Sequence, residues 1–228
     1  MNPSETLAPP RTEVRIGALN AEEIAAISKR VKEPEFLARR RAAAWAHCEK
    51  TPFPPRTEEL WRRTDISSLK WDGILAAREP HVPVAEADEL PASLRVEIGP
   101  REERSALLVQ LDSSTVLIER DPELEKLGVI VMPVLEAARA HPALVERYLG
   151  RTVRPDESRF TALAAALESG GAFVYVPDHV KVPRPIQLLF SRQTPDLGTF
   201  PHVVLALAPG ADAAIIEEYV SHGSPDRA

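Results

Sequence analysis

The hydrophobic and polar positions of this chain follow two different periods, and the change comes near residue 94. Before it, apolar residues recur at helical spacing, as at Ile24, Ile27 and Val31. Asn20 precedes this stretch, and Glu23 follows three residues later, in the register of a capping box. The pattern predicts a helix starting at Asn20 and a second helix after Pro34, where helix formers dominate.

The next segments are shorter. The cluster Pro52–Pro55 predicts an extended linker, and residues 57–63 predict a short helix with Thr57 as its cap. We therefore expect three parts: a flexible arm over 1–19, an N-terminal helical domain with its linker over 20–93, and a mixed strand and helix segment over 94–228.

Strand-like runs dominate the part after residue 94. The predicted strands are LRVEI, SALLVQL, STVLIER and LGVIVM, with Asp112-Ser113 as a hairpin turn between the second and the third. Helices are predicted in MPVLEAARAHPALVERYLG, with a break at His141-Pro142 and a stop at Gly150. A further helix is predicted in SRFTALAAALESGG, with Ser158 before it and Gly170 after it.

Beyond Gly170 only strand-like runs follow, namely AFVYV, PIQLLF, TFPHVVLALA and ADAAIIEEYV. Their starts are roughly 12 to 15 residues apart, and several are apolar at consecutive positions, which indicates burial on both faces. A sandwich, a barrel and a β-solenoid all fit this series, and periodicity does not choose among them.

Composition narrows the class of protein. There are 22 prolines in 228 residues, about twice the usual share, spread along the chain as expected for many short elements. The net charge of −6 argues against nucleic acid as the main partner. The sequence contains no apolar run of membrane-spanning length and no apolar core in its first residues, so we expect a cytoplasmic protein. One cysteine makes neither an internal disulfide nor a Cys₄ metal site.

The histidines are the first candidates for chemistry. His179 lies in a predicted turn, where a metal ligand or proton carrier is possible but a solvated turn residue is the favoured interpretation. His202 lies in a predicted strand and is interpreted as a structural residue, and His222 is close to the last residue. His47 and Cys48 are adjacent, so on a helix they point about 100° apart, and Cys48 is predicted to be a buried apolar residue.

Other candidates are weaker. The pairs Glu58-Glu59 and Glu217-Glu218 are interpreted as surface carboxylates, and Trp61-Arg62 as either a partner contact or, by preference, packing of the helical unit. No His-x₃-His, Cys-x₂-Cys, GxxxxGK[ST], GxGxxG or Gly-x-Ser-x-Gly motif occurs in the sequence. We therefore predict no catalytic, cofactor-binding or metal-binding residue in this chain.

The stretch GAFVYVPDHVKVPRPIQLLF resembles the signature of the SufB/SufD family of iron–sulfur cluster assembly proteins. The matching positions are Gly171, Val176-Pro177, Val180, Val182 and Pro185-Ile186. Upstream, RFTALAAALESGG resembles the helix that leads into that strand, and downstream VVLALAPGADAAIIEEYVS resembles the next rung pair, including Glu217 and Tyr219.

The N-terminal part is similar to the SufD side of the family. The matching residues are Phe36-Leu37, Arg40, Ala43 to Trp45, the proline cluster, and the Glu-x-Trp-Arg-x-Thr element at Glu59, Trp61, Arg62 and Thr64. Two departures stand out. Family members often carry Asn near Ala164, where this chain has Leu163-Ala164-Ala165-Ala166, and they continue for about as long again.

The resemblance implies an N-terminal helical domain followed by the first rungs of a right-handed parallel β-helix. It also implies a non-catalytic scaffold subunit of the SUF iron–sulfur cluster assembly complex, with a SufB-like sibling and a SufC-like ATPase as partners. ATP would be used by that ATPase, and the contacts with it, like the residues tied to cluster building, belong to the later part of the family's length. We expect a chain limited to these 228 residues to self-associate, because a solenoid stopped within its stack exposes apolar strand edges.

A different class of function remains open from the residues alone. The chain is alternatively a stand-alone module that binds a small ligand or a metal through His179, His202 and acidic residues. Metal binding that His179→Ala abolishes would favour this alternative.

Overall fold

The computed structural model describes residues 17, 19–66, 74 and 80–221 of the chain. The arm predicted over 1–19 lies almost wholly outside the described residues, as do His222 and residues 67–73 and 75–79 of the predicted helical domain and linker. The described part is an α+β structure in which two helices come first and two β-sheets follow.

The first two helices form as their sequence predicts. Helix α1 spans Ala21–Val31, and the side chain of Asn20 accepts hydrogen bonds from the backbone N–H groups of Glu22 and Glu23. Helix α2 spans Glu35–Lys50 and buries Leu37, Ala44, Trp45 and Cys48. Ile24 of α1 joins Ala44, Trp45 and Cys48 in a core shared with a later helix.

The helix predicted over 57–63 is wrong. Successive four-residue turns replace it. The backbone N–H groups of Glu58, Trp61 and Thr64 each donate to the carbonyl three residues earlier. The Trp61 ring stacks on Phe160, with centroids 4.9 Å apart, so a tertiary contact positions this segment.

The strand predicted in LRVEI is also wrong. A short helix, α3, spans Ala92–Arg95 after Pro91, and a 3₁₀ turn at Ala87–Glu89 precedes it. The alternation of Leu94, Val96 and Ile98 suited a strand, but only Leu94 is fully buried and Val96 is 79% exposed. The alternation of apolar residues at 94, 96 and 98 therefore reflects the burial of Leu94 alone and not a strand.

The remaining elements agree with the predicted strands and helices, except for a short helix over Pro122–Lys126 that was not predicted. Strands β1 (Ala106–Leu111) and β2 (Ser114–Arg120) form an antiparallel hairpin around Asp112-Ser113. Helix α4 (Pro122–Lys126), strand β3 (Ile130–Pro133) and helices α5 (Val134–Ala140) and α6 (Pro142–Tyr148) follow, with the predicted break at His141. Helix α7 (Arg159–Ala166) starts with a capping box between Ser158 and Thr161.

The last four strands alternate between two sheets. They are β4 (Gly171–Val176), β5 (Ile186–Arg192), β6 (His202–Leu207) and β7 (Ile215–Ser221). β4 pairs in parallel with β6 in the sheet β3-β4-β6, and β5 pairs in parallel with β7 in the sheet β2-β1-β5-β7. The chain thus passes from one sheet to the other and back again.

The corners between the sheets stack in the same way as the strands. The corner over 177–185 is bonded to the corner over 208–214 by backbone bonds from His179 N–H to the Pro209 carbonyl and from Val182 N–H to the Asp212 carbonyl. Pro177 follows the last residue of β4, and Pro185 precedes the first residue of β5. Both prolines therefore lie outside the ladder, where a missing N–H is tolerated.

Burial on both faces explains the continuous apolar runs. Leu108, Val174 and Leu188 pack between the two sheets, while Phe173 packs on the outer side of its sheet against α5, α6 and Leu37. Leu107 and Leu189 pack on the outer side of the other sheet, under Leu90 and Leu94. The sheets are therefore covered on both sides, as the runs predicted.

Candidate functional site

Two adjacent glycines bring β4 and β6 together at the point where β4 begins. Gly171 has a φ of +100°, and a Cβ there would lie far under 3.0 Å from the backbone oxygen and nitrogen of His202. Gly170 has a φ of +81° and packs against the side chain of Gln110. The buried Gln110 amide accepts a bond from Gly171 N–H at 2.7 Å and donates to the Asp112 carbonyl at 2.7 Å.

A buried ionic cluster joins the helices to the same strand entry. Glu168 accepts from Arg40 Nη1 at 2.8 Å and pairs with His202 Nδ1 at 3.2 Å. Arg41 pairs with the carboxylate of Glu33 at 2.8 Å and donates to the Ala166 carbonyl at 2.7 Å. The link between α1 and α2, the end of α7, and strand β6 are thereby connected through two arginines of α2.

The charge state of Glu168 follows from these contacts. Burial alone raises the pKa of this carboxyl, but the His202 hydrogen bond and the positive charges of Arg40 and Arg41 outweigh burial. The pKa of Glu168 is therefore held below its usual range, and the group is ionised at neutral pH.

A second buried carboxylate, Asp112, holds the hairpin turn. Asp112 has a φ of +53°, accepts from Thr194 Oγ1 at 2.6 Å and Gln193 N–H at 2.8 Å, and lies 2.9 Å from His81 Nε2. Burial raises its pKa, but the hydrogen bonds from Thr194, His81 and Gln193 lower it more, so the pKa lies below the usual value. These bonds fasten the loops around residues 81 and 194 to the β1–β2 turn.

The two histidines of the metal hypothesis lie at opposite ends of one strand. His202 is paired in register with Gly171, at the start of β4, whereas His179 follows the far end of β4. Six strand residues span about 20 Å, so the two imidazoles do not share a ligand. His179 is exposed, with its ring over Gly210, and His202 is engaged by Glu168.

The other residues considered as site candidates from the sequence do not form a common site either. Cys48 is 1% exposed, and burial raises the pKa of its thiol, while the neighbouring His47 is only partly buried. Glu217 accepts from the Tyr219 hydroxyl at 2.5 Å, Glu218 accepts from Gln187 at 2.6 Å, and Glu59 pairs with Arg62 at 3.1 Å. Within the described residues no three His, Cys, Asp or Glu side chains are grouped to hold a metal ion.

The free edges of β6 and β7 form the most prominent exposed apolar surface. Leu205, Leu207, Ile216 and Tyr219, all on these two strands, are large apolar residues that remain exposed. Leu205 and Leu207 lie two and four residues after Val203 on the same strand, so they share its face, which is the face that packs between the sheets. Neither strand pairs with a further strand among the described residues, so we call these four residues the open edge.

The sequence analysis did not predict the hydrogen-bond partners of the buried polar residues. Gln110, Asp112, Glu168, Arg40 and Arg41 are polar positions within or beside apolar runs, and the sequence contains no sign of their distant partners. Local signals existed only for Asp112, whose hairpin turn was predicted, and for the glycine pair, because adjacent glycines after a helix indicate an unusual backbone. In the part of the chain that the structure describes, no helix has the length and apolarity needed to cross a membrane.

Comparison with known proteins gives a consistent picture. Residues 18–188 match the family model described as the SufBD protein N-terminal region. The iron–sulfur cluster assembly protein SufD of Bacillus subtilis is 30% identical over 209 residues, which cover 91% of this chain and 47% of that protein.

Other organisms carry similar proteins. An iron–sulfur cluster assembly SufBD family protein of Pyrococcus horikoshii is 29% identical over 203 residues, covering 86% of this chain and 44% of that protein. A chloroplastic SufBD family protein of Arabidopsis thaliana is 26% identical over 205 residues, covering 87% of this chain and 37% of that protein. The chain thus spans less than half the length of these curated relatives.

Proposed function

The chain belongs to the SufBD family, and on that premise we propose that it acts as a SufD-like, non-catalytic scaffold component in SUF iron–sulfur cluster assembly. The observation that carries the proposal is the match of residues 18–188 to the N-terminal region of that family. The relatives named above are iron–sulfur cluster assembly proteins, which supports a role in the same system.

The architecture we propose for this role is a right-handed parallel β-helix. Two features support it: strands β4 to β7 alternate between two sheets, and the corner over 208–214 stacks on the corner over 177–185. A coil of this kind grows by adding rungs at an edge, so the open edge is where the next rung is expected.

We assign ATP hydrolysis and cluster chemistry to partners. The buried carboxylates of Glu168 and Asp112 are engaged by Arg40 and by the Thr194 hydroxyl, and these bonds fix loops and helices in place. Our proposal includes a SufB-like sibling, a SufC-like ATPase, a cytoplasmic location, and no cofactor held by this chain alone.

Purification with the partners tests this assignment. The tagged chain is mixed with a SufB-like protein and a SufC-like ATPase, and the Bacillus subtilis SufD serves as the matched comparison. We expect the chain alone to hydrolyse no ATP and to retain the ATPase weakly, because the ATPase contacts are expected in the part of the relatives that this chain does not match. ATP hydrolysis by the chain, or stoichiometric retention of the ATPase, would contradict the proposal.

A further inference from the structure

One column of side chains across the sheet β2-β1-β5-β7 changes from apolar to charged when it reaches β7. Leu108 of β1 pairs in register with Leu188 of β5, and Leu188 pairs in register with Glu217 of β7. Residues paired in a parallel ladder point to the same face, and both leucines are fully buried between the two sheets. Glu217 therefore places its carboxylate on the face that lines the space between the sheets, directly beyond an apolar layer.

The neighbours of Glu217 on β7 lie on this same inner face. Ile215, two residues earlier, packs against the core between the sheets. Tyr219, two residues later, stacks its ring on Phe190 of that core, with centroids 5.1 Å apart. The Tyr219 hydroxyl donates to Glu217 at 2.5 Å, and within the described residues this is the only hydrogen bond that the carboxylate accepts. A neutral hydroxyl leaves the negative charge of Glu217 without a counter-charge.

A strand that pairs with β7 would take this carboxylate out of water. Leu188, which lies one strand earlier in the same column and is covered by β7, is 0% exposed. Burial of an ionised carboxylate is costly unless an opposite charge and further hydrogen bonds replace the lost water. A carboxylate accepts up to about four hydrogen bonds, and Tyr219 supplies one of them. The covering strand therefore has to bring donors to this position, and a cation also compensates the charge.

We propose that the open edge is covered by a further coil of the solenoid, whose strand on β7 carries Lys or Arg opposite Glu217. The curated relatives have the length for such a coil, since the matched region covers 47% of the Bacillus subtilis SufD. On β6 the coil meets Leu205 and Leu207, which continue the buried column positions of Val174 and Val176, so its facing residues there are apolar. This inference rests on the parallel β-helix of the proposed function and adds the charge that its next coil presents.

A strand-forming peptide is the probe for this position. The peptide Thr-Val-Thr-Lys-Thr-Val-Thr, labelled with fluorescein, places Val, Lys and Val opposite Ile215, Glu217 and Tyr219 when it pairs in parallel with β7. Matched peptides carry Gln or Glu in place of Lys, and fluorescence anisotropy with the full 228-residue chain measures the Kd of each. We expect the Lys peptide to bind about tenfold or more tightly than the Glu peptide, because like charges placed opposite each other repel. The Gln peptide is expected to lie between them.

Charge-reversal variants locate the peptide on β7. Glu217→Lys is expected to reverse the preference, so that the Glu peptide binds more tightly than the Lys peptide. Glu125→Lys makes the same charge change at an exposed residue of α4 and should leave the preference unchanged. Equal binding of the Lys and Glu peptides, no binding of either peptide, or an unchanged preference in Glu217→Lys would each overturn the proposal. None of these results bears on the SUF role, which purification with the partners tests separately.

Discussion

Gly171 begins β4 at a position where a side chain does not fit. Its φ of +100° is strained for any other residue, and the backbone of His202 occupies the space of a Cβ. The same position is the first residue of the family signature, so a packing requirement explains why that signature starts with glycine.

We expect Gly171→Ala to lower the free energy of unfolding by about 3 kcal/mol or more, because backbone strain and a backbone clash act together. Urea denaturation followed by circular dichroism measures the change. Gly99→Ala is the matched control, since a Cβ at Gly99 meets only the Gln187 side chain at 3.9 Å and its φ is not positive. Equal stability of the two variants would refute the packing argument.

Glu168 leads to a prediction about pH. Because its pKa is lower in the folded chain, its ionised form stabilises the fold at pH values above the unfolded value, near 4.5, and this stabilisation is lost as pH falls through the folded value. Glu168→Gln is expected to cost about 3 kcal/mol at pH 7, because it leaves Arg40 short of its buried partner.

The difference between wild type and Glu168→Gln is expected to shrink in denaturation curves recorded at successively lower pH below about 4. Glu136→Gln, at an exposed carboxylate on α5, is the control and is expected to change little at any pH. A difference that stays constant from pH 7 to pH 3 would show that the charge of Glu168 has no part in stability.

At the scale of elements, local sequence patterns predicted most helices and strands correctly. Where the prediction was wrong, a contact with a distant part of the chain accompanies the different structure. Asn20 and Ser158 cap helices as their sequences predict, and Pro177 and Pro185 bound their strands. The segment over 57–63 has helix-forming residues, yet the stacking of Trp61 on Phe160 accompanies turns instead. Such a contact across about a hundred residues leaves no trace in a local pattern.

Trp61 is therefore expected to be a packing residue. Trp61→Ala should destabilise the chain by about 2 kcal/mol and speed proteolysis within residues 55–65, because the stack on Phe160 is lost. Its neighbour Leu60 is 89% exposed, so Leu60→Ala provides the control and should change neither property. Unchanged stability of Trp61→Ala would instead favour the interpretation of Trp61-Arg62 as a partner contact.

At the scale of the whole molecule, the open edge has the clearest consequence. The 228-residue polypeptide produced alone is expected to self-associate, because β6 and β7 present apolar side chains together with unpaired backbone groups. Size-exclusion chromatography with light scattering measures the mass of the species.

Two double variants test whether self-association occurs through the open edge or through exposed apolar residues in general. Leu205→Glu with Leu207→Glu should shift the distribution towards the monomer. Val82→Glu with Val96→Glu changes two apolar residues away from the edge that are still more exposed, at 83% and 79% against 46% and 44%, and should not. A monodisperse wild-type monomer, or an equal effect of both pairs, would contradict self-association through the open edge.

The sequence alone predicted the two-sided burial of the strands but not how the strands are ordered. The runs from β4 to β7 suited a sandwich, a barrel and a solenoid equally, since strand period is the same in each. The ordering depends on bonds between corners, such as His179 N–H to the Pro209 carbonyl, which no local pattern encodes. The bond between Arg40 and Glu168 likewise joins residues 128 positions apart.

The most direct measurement of the scaffold role is a chimera of the Bacillus subtilis SufD in which its matching segment is replaced by the corresponding 209 residues of this chain. The activity of an iron–sulfur enzyme such as aconitase is followed in cells depleted of their own SufD. Our account predicts that the chimera restores that activity and that the same chimera carrying Gly171→Ala does not. A chimera that accumulates as a folded protein but restores no activity would contradict the scaffold role.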